Sequence, residues 1–265
     1  MSSILDEILE STENLLKERK SKNSEQLLRR HARGMPAPRN FAEALTAEQE
    51  NGENNIIAEL KKASPSKGLI RQNFPVVELA RELETGGAAA LSVLTEPNFF
   101  QGSLRNLQLA ADNVNIPVLR KDFIIDTFQI LEARVFGASA VLLITSALEK
   151  SRLEQLIQTT ESFQMNALVE VHTKEELDAA LECNAKIVGV NSRDLSNFET
   201  DLKTTINLIS EIPNGIVKVA ESGINNADDM ELIRKSGVDA VLVGECLMKS
   251  SSPGKKITQL VGSRK

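Results

Sequence analysis

From Asn55 onward the chain alternates short apolar runs with amphipathic stretches. The runs fall at Asn55 to Leu60, Ala88 to Leu94, Ile116 to Leu119, Ser139 to Ile144, Ala167 to Val171, Lys186 to Val190, Ile216 to Ala220 and Val238 to Val243. Between them apolar residues recur at helical spacing over Val76 to Leu83, Leu104 to Ala111, Thr127 to Phe136, Leu148 to Phe163, Lys174 to Leu181, Leu202 to Ile209 and Ala227 to Lys235. Gly86, Gly137 and Gly237 stand where helix C-caps are expected. Near-continuous apolar runs separated by helices are the signature of parallel strands covered on both faces. Eight such units in about 210 residues, with a further helix available after Gly244, predict an α/β fold of the (β/α)8 barrel type. An open sheet would carry fewer strands and a Gly-rich dinucleotide loop, and no GxGxxG, GxxxxGKS or HExxH motif is present.

Residues 1–50 follow another pattern. Ile4, Leu5, Ile8, Leu9, Leu15 and Leu16 lie at helical spacing among Glu and Lys, Glu25 to Arg30 predicts a second helix, and Asn40 to Glu48 a third. Gly34, Pro36 and Pro38 interrupt them, and the Asn51-Gly52 pair closes the segment. The expected organisation is a helical N-terminal extension over 1–50, packed on a catalytic barrel over 51–265.

Charge and composition narrow the function. Against 31 Lys and Arg stand 37 Asp and Glu, a net charge of −6, and the chain has no Trp, no Tyr and nine Phe. With neither a basic field nor a stacking platform, nucleic acid is not an expected partner. An anionic ligand must be met by a local cluster. Cys183 and Cys246 lack metal spacing and read as core-filling thiols in a reducing compartment. His31 and His172 are too few for a zinc centre. No stretch reaches the ~20 apolar residues of a membrane helix, so a cytoplasmic location is expected.

In a barrel of this kind chemistry collects where strands run into the loops that follow. The strand ends here carry Glu59 and Lys61, then Lys121, Glu170, Asn191 with Arg193, and Glu221 with Ser222. Alternation puts Glu59 and Lys61 on one face, and pairs Glu170 with Leu168, Asn191 with Gly189 and Glu221 with Val219. Lys218 must then face the helices. Any one of these is ordinary as a solvated strand end; together they point to an acid–base site. The loop after Glu59 reads Ser64-Pro-Ser-Lys-Gly68, and the last two units end Glu221-Ser-Gly and Val243-Gly-Glu. Gly223 and Gly244, each before a helix, allow backbone N–H groups to approach a phosphate. Glu245 is an awkward neighbour for such an anion, and its side chain should turn away.

These stretches carry a resemblance. IIAELKKASPSKGLIR from Ile56, ALSVLTEPNFFQGS from Ala90, PVLRKDFIID from Pro117, ALVEVH from Ala167, GVNSRDL from Gly189, VAESGI from Val219 and VLVGECLM from Val241 together resemble the indole-3-glycerol phosphate synthase family. The resemblance implies cofactor-free ring closure of 1-(2-carboxyphenylamino)-1-deoxyribulose 5-phosphate, with loss of carbon dioxide and water. It implies Lys121 as general acid on the carbonyl, Glu170 for the dehydration, and Glu59 with Lys61 as a second acid/base pair. Asn191 and Glu221 would position polar groups beside Ser222. Ser64, Arg193, Gly223, Gly244 and the Glu245 N–H would surround the phosphate or carboxylate, and Phe100, Phe123 and Leu142 would wall the aromatic ring. Lysines crowded in the mouth should have lowered pKa values and buried carboxylates raised ones. The ligand is a phosphorylated small molecule, and the chain is taken as a monomer, with a homodimer as the other state. A phosphoribosyl isomerase, a Schiff-base aldolase using Lys121, and a non-catalytic sugar-phosphate sensor are the alternatives; the first two do not need Glu59, Lys61 and Glu170 together.

Overall fold

The computed structural model describes residues 3–48, 55–193 and 202–261; the Asn51-Gly52 pair lies outside them. Eight parallel strands close a barrel: β1 (Asn55–Leu60), β2 (Ala90–Leu94), β3 (Val118–Lys121), β4 (Ala140–Ile144), β5 (Asn166–Val171), β6 (Ile187–Asn191), β7 (Val217–Glu221) and β8 (Ala240–Val243). Each pairs with its neighbours in sequence, and β8 returns to β1 in the register Asn55 to Ala240. Alternation along the strands then makes two cores. Ile57, Ala90, Leu119, Leu142, Leu168, Val219 and Leu242 fill the barrel interior, while Ile56, Leu91, Val141, Val169, Val188 and Val241 pack outward under the helices. Lys218 belongs to the outward set by the same parity, as expected.

The covering helices are α4 (Val76–Thr85), α5 (Leu104–Ala111), α6 (Thr127–Val135), α7 (Lys150–Ser162), α8 (Lys174–Glu182), α9 (Leu202–Ser210) and α10 (Ala227–Arg234), with the short α11 (Glu245–Lys249) and α12 (Pro253–Val261) closing the ring. Ser103, Asp126, Thr173 and Asn226 cap four of them through side-chain oxygens that accept first-turn N–H groups. Gly137 and Gly237 have the positive φ that a terminating residue needs. The expectation for Gly86 shifts by one residue: its φ of −71° is still helical, and Gly87 at +98° makes the turn.

Three helices precede the barrel. α1 (Ile4–Lys22), capped by a Ser3/Asp6 box, places Ile8 in the same apolar cluster as Phe100 and Phe123, while Asn98 donates to Ser11 Oγ at 2.8 Å. It therefore borders the end of the barrel where the strands have their carboxyl termini. α2 (Glu25–Gly34) runs along α6, where Arg134 donates to the carbonyl of Met35 at 3.2 Å. α3 (Phe41–Thr46) plugs the opposite end: Phe41 and Leu45 are fully buried among the interior residues. Asn166 Oδ1 accepts the Phe41 and Ala42 N–H groups at 3.2 and 3.3 Å, and Asn55 Nδ2 donates to the Leu45 carbonyl at 2.8 Å. Among the described residues no helix is long and apolar enough to cross a membrane.

Candidate active site

At the carboxyl ends of the strands a cavity of about 540 Å³ opens. Glu59, Lys61, Ser64, Phe100, Lys121, Phe123, Leu142, Glu170, Asn191, Arg193, Ser222, Gly223, Gly244 and Glu245 line it. Strand alternation and the loops that follow thus deliver these residues from all eight strands. Glu221 is not on the wall; it lies 1% exposed beneath it, against Lys121. It can touch a substrate only through that lysine.

Lys121 is the hub. Its ammonium donates to Glu221 Oε2 at 2.6 Å and to Glu170 Oε2 at 3.2 Å. Asn191 also hydrogen-bonds the Glu170 carboxylate. Burial alone would push the Lys121 ammonium toward the neutral amine, but Glu221, Glu170 and Glu59 together overcome it and raise its pKa. The expected lowering is therefore wrong for this lysine, because the lysines here are outnumbered by carboxylates. Burial pushes Glu221 up to about 7 in spite of Lys121, with Glu170 and Glu59 adding repulsion. For Glu170, burial is outweighed by Lys121, His172 and Asn191, and its pKa is lowered. The two carboxylates around one ammonium are thus driven apart in proton affinity, an arrangement suited to acid–base work. Glu59 and Lys61 form a separate pair at 2.5 Å across the cavity edge.

Two barrel glycines explain how buried carboxylates fit there. A Cβ on Gly189 would collide with Glu221 Oε1 and lie 3.1 Å from Leu168 Cδ1. A Cβ on Gly244 would collide with Glu59 Oε1 and stand 3.0 Å from its Cβ. Gly244, read from the sequence as an anion-binding residue, has an ordinary φ of −131°. Its missing side chain makes room for Glu59.

The opposite side of the cavity is cationic. Arg193 donates to Ser66 Oγ at 3.2 Å and reaches Glu245 Oε2 at 3.5 Å. Glu245 shares its other oxygen with Lys249 at 2.7 Å, so its carboxylate has turned only halfway from the cavity, contrary to expectation. Burial raises its pKa, but Lys249, Lys67 and Arg193 prevail and hold it low. Ser64 and Ser66 sit on a hairpin formed by Ala63–Ser64 and Gly68–Leu69, which Arg71 anchors by donating to the carbonyls of Met248 and Ser250 at 2.9 and 2.8 Å. Beyond β7, Ser222 and Gly223 have φ of +65° and +77°. For Ser222 this left-handed conformation is strained, and it is held at the cavity wall.

Phe100 and Phe123 make the apolar wall, their ring centroids 6.0 Å apart, with Leu142 below. Phe100 is held by a residue that sequence reasoning passed over. The buried Glu96 carboxylate accepts the N–H groups of Asn98, Phe99 and Phe100 at 3.0, 2.7 and 3.1 Å. Nothing in an apolar pattern marks such a glutamate, because its partners are backbone atoms. His172 was also passed over, although it lies two residues after Glu170 and shares its parity; its Nε2 stands 3.7 Å from Glu170 Oε1.

A closed (β/α)8 barrel with a lysine clasped between two buried carboxylates at its mouth defines a general acid–base barrel enzyme. Comparison with known proteins narrows the class. The family model of indole-3-glycerol phosphate synthase matches residues 5–260. The chain is 46% identical over 246 residues to the indole-3-glycerol phosphate synthase of Chloroherpeton thalassium, spanning 93% of this chain and 95% of that one. It is 45% identical over 262 residues to that of Koribacter versatilis, spanning 99% and 100%. A thiamine phosphate pyrophosphorylase structure from Pyrococcus furiosus superposes with a TM-score of 0.59 at 18% identity, over 83% of this chain and 96% of that one, a likeness of fold alone. The chain belongs to the indole-3-glycerol phosphate synthase family, carboxy-lyases of tryptophan biosynthesis.

Proposed function

We propose that this cavity closes the indole ring of 1-(2-carboxyphenylamino)-1-deoxyribulose 5-phosphate through the residues described above. The observation that carries the assignment is Lys121, an ammonium 2.6 Å from one buried carboxylate and 3.2 Å from another on the cavity floor. In this reading it protonates the carbonyl as the ring carbon attacks. Carbon dioxide then leaves, and Glu170 serves the loss of the hydroxyl as water. Glu59 and Lys61 form the second acid/base pair. Asn191 positions Glu170 and the substrate, and Glu221 acts through Lys121, storing negative charge that falls as it takes up a proton.

The phosphate is assigned to the end bounded by Arg193, Ser64, Ser66, Ser222, Gly223, Gly244 and the Glu245 N–H. The aromatic ring lies against Phe100, Phe123 and Leu142, where exclusion of water strengthens the ionic contacts. Because Lys121 is held as an ammonium, a Schiff-base role is disfavoured, since that chemistry starts from the neutral amine. We take the enzyme to work without a cofactor, as a cytoplasmic monomer whose helices over 1–50 belong with the barrel over 51–265. The α3 plug in the barrel floor supports that last point.

The test is to mix purified protein with the substrate and follow indole fluorescence, with Lys121→Ala alongside. The chain has no Trp, so the indole signal belongs to product. Loss of a general acid should cost about 10²–10⁴-fold in rate. Circular dichroism should report an intact fold. A near-normal rate for Lys121→Ala would remove the role given to it.

A further inference from the structure

The reaction has a proton requirement that the cavity wall does not meet alone. The substrate carboxylate leaves as uncharged carbon dioxide, and the carbonyl oxygen leaves as water carrying two protons. The C1 methylene gives up one. Each turnover therefore takes up one proton. In the proposed scheme Lys121 supplies the first proton to the oxygen and Glu170 delivers the second. Glu170, however, is 2% exposed at the cavity, and Lys121, His172 and Asn191 outweigh burial to hold its carboxyl below the usual carboxylate range. It needs a donor.

His172 is placed to be that donor. It is the first residue beyond β5 and keeps the parity of Glu170; its Nδ1 stands 3.4 Å from Glu176 Oε2 on α8 while its Nε2 faces Glu170 Oε1 at 3.7 Å. The Glu176 carboxylate also accepts the His172 backbone N–H at 2.7 Å, fixing the residue at both ends. Nε2 is buried without a hydrogen-bond partner in the structure, and a small side-chain shift brings it onto Glu170. The charged groups that act on the imidazole are Glu170 on β5, Glu176 on α8 and Glu221 on β7, with Lys121 on the far side of Glu170.

We propose that His172, held by Glu176, positions Glu170 and loads it with the proton that Glu170 delivers to the departing hydroxyl. While Lys121 is charged it keeps the proton affinity of Glu170 low. Once Lys121 has given its proton to the carbonyl, that attraction is gone, and the Nε2 proton of the imidazolium passes to Glu170 Oε1. Glu170 passes it to the hydroxyl, which leaves as water. The proton released from C1 restores the Lys121 ammonium, and the imidazole is reprotonated from solvent after product leaves, which is the one proton taken up per turnover. The geometry agrees with the electrostatics: burial lowers the pKa of His172, but Glu176, Glu170 and Glu221 outweigh burial and raise it. His172 acts through Glu170 and does not line the cavity.

This inference rests on the role proposed for Glu170, so Glu170→Gln is measured in parallel. In single turnovers followed by indole fluorescence, His172→Gln should form product about tenfold or more slowly, with substrate KM within about twofold. The wild-type rate should fall as rising pH deprotonates His172, and the variant should lose that alkaline limb. A His172→Gln enzyme with the wild-type rate, or a slow one that keeps the limb, overturns the proposal. Full activity in Glu170→Gln overturns the reading of Glu170 instead. Should His172→Gln fail to fold, the wild-type protein still decides, because it has only two histidines, one of them exposed. Nitrogen-15 NMR should find one imidazole still doubly protonated above pH ~6.5, and a buried imidazole already neutral at that pH overturns the proposal.

Discussion

Gly189→Ala is a one-methyl test of how the site is built. The residue is in mid-strand on β6, where alanine suits the backbone, so the substitution acts through space alone. Its Cβ falls on Glu221 Oε1, with Leu168 Cδ1 3.1 Å away. If Glu221 stays, the overpacking costs about 1–3 kcal/mol. In a chain of this size that lowers Tm by roughly 2–12 °C. If Glu221 swings aside, the 2.6 Å contact to Lys121 breaks, leaving Lys121 with Glu170 at 3.2 Å and a less firmly held proton. Both routes depend on the Glu221 side chain, which a double-mutant cycle can isolate. Thermal unfolding and the indole fluorescence rate are measured for Gly189→Ala, Glu221→Ala and the pair. Gly189→Ala should be destabilising and slow by itself, yet nearly neutral for stability once Glu221 is alanine, a coupling of about 1–3 kcal/mol. Equal destabilisation in both backgrounds would refute the collision with Glu221.

Two further outcomes follow from the site. Glu221→Gln should flatten part of the pH dependence of stability. The folded carboxyl has its pKa raised from the ordinary 4.5 to about 7, so its contribution is full below the unfolded value and is lost as pH rises through that window. Urea midpoints at pH 4.5 and 7.5 should differ less in the variant than in the wild type, and an unchanged difference would contradict the raised pKa. Glu96→Ala releases the N–H groups of Asn98, Phe99 and Phe100 and with them the aromatic wall. At about 1–3 kcal/mol for unmet buried bonds, KM should rise about tenfold with a smaller change in kcat; an unaltered KM would show that the wall does not depend on this glutamate.

Much of this molecule was legible in its order of residues. The eight apolar runs became the eight strands within a residue or two at most ends, because burial on both faces leaves a sequence little choice but continuous Val, Ile and Leu. Strand parity then placed Glu59, Glu170 and Asn191 in the mouth and turned Lys218 outward, since a period of two needs no knowledge of partners. What the sequence alone could not decide is what meets what across the barrel. Lys121 and Glu221 are 100 residues apart, and only closure of β8 onto β1 brings the carboxylates around the ammonium and reverses the direction of its pKa. The same closure makes Gly189 and Gly244 spaces for Glu221 and Glu59 and sets Arg193 against Glu245. Local periodicity fixes the face a side chain occupies, whereas its charge state depends on neighbours that lie far off in sequence and are brought near by the fold.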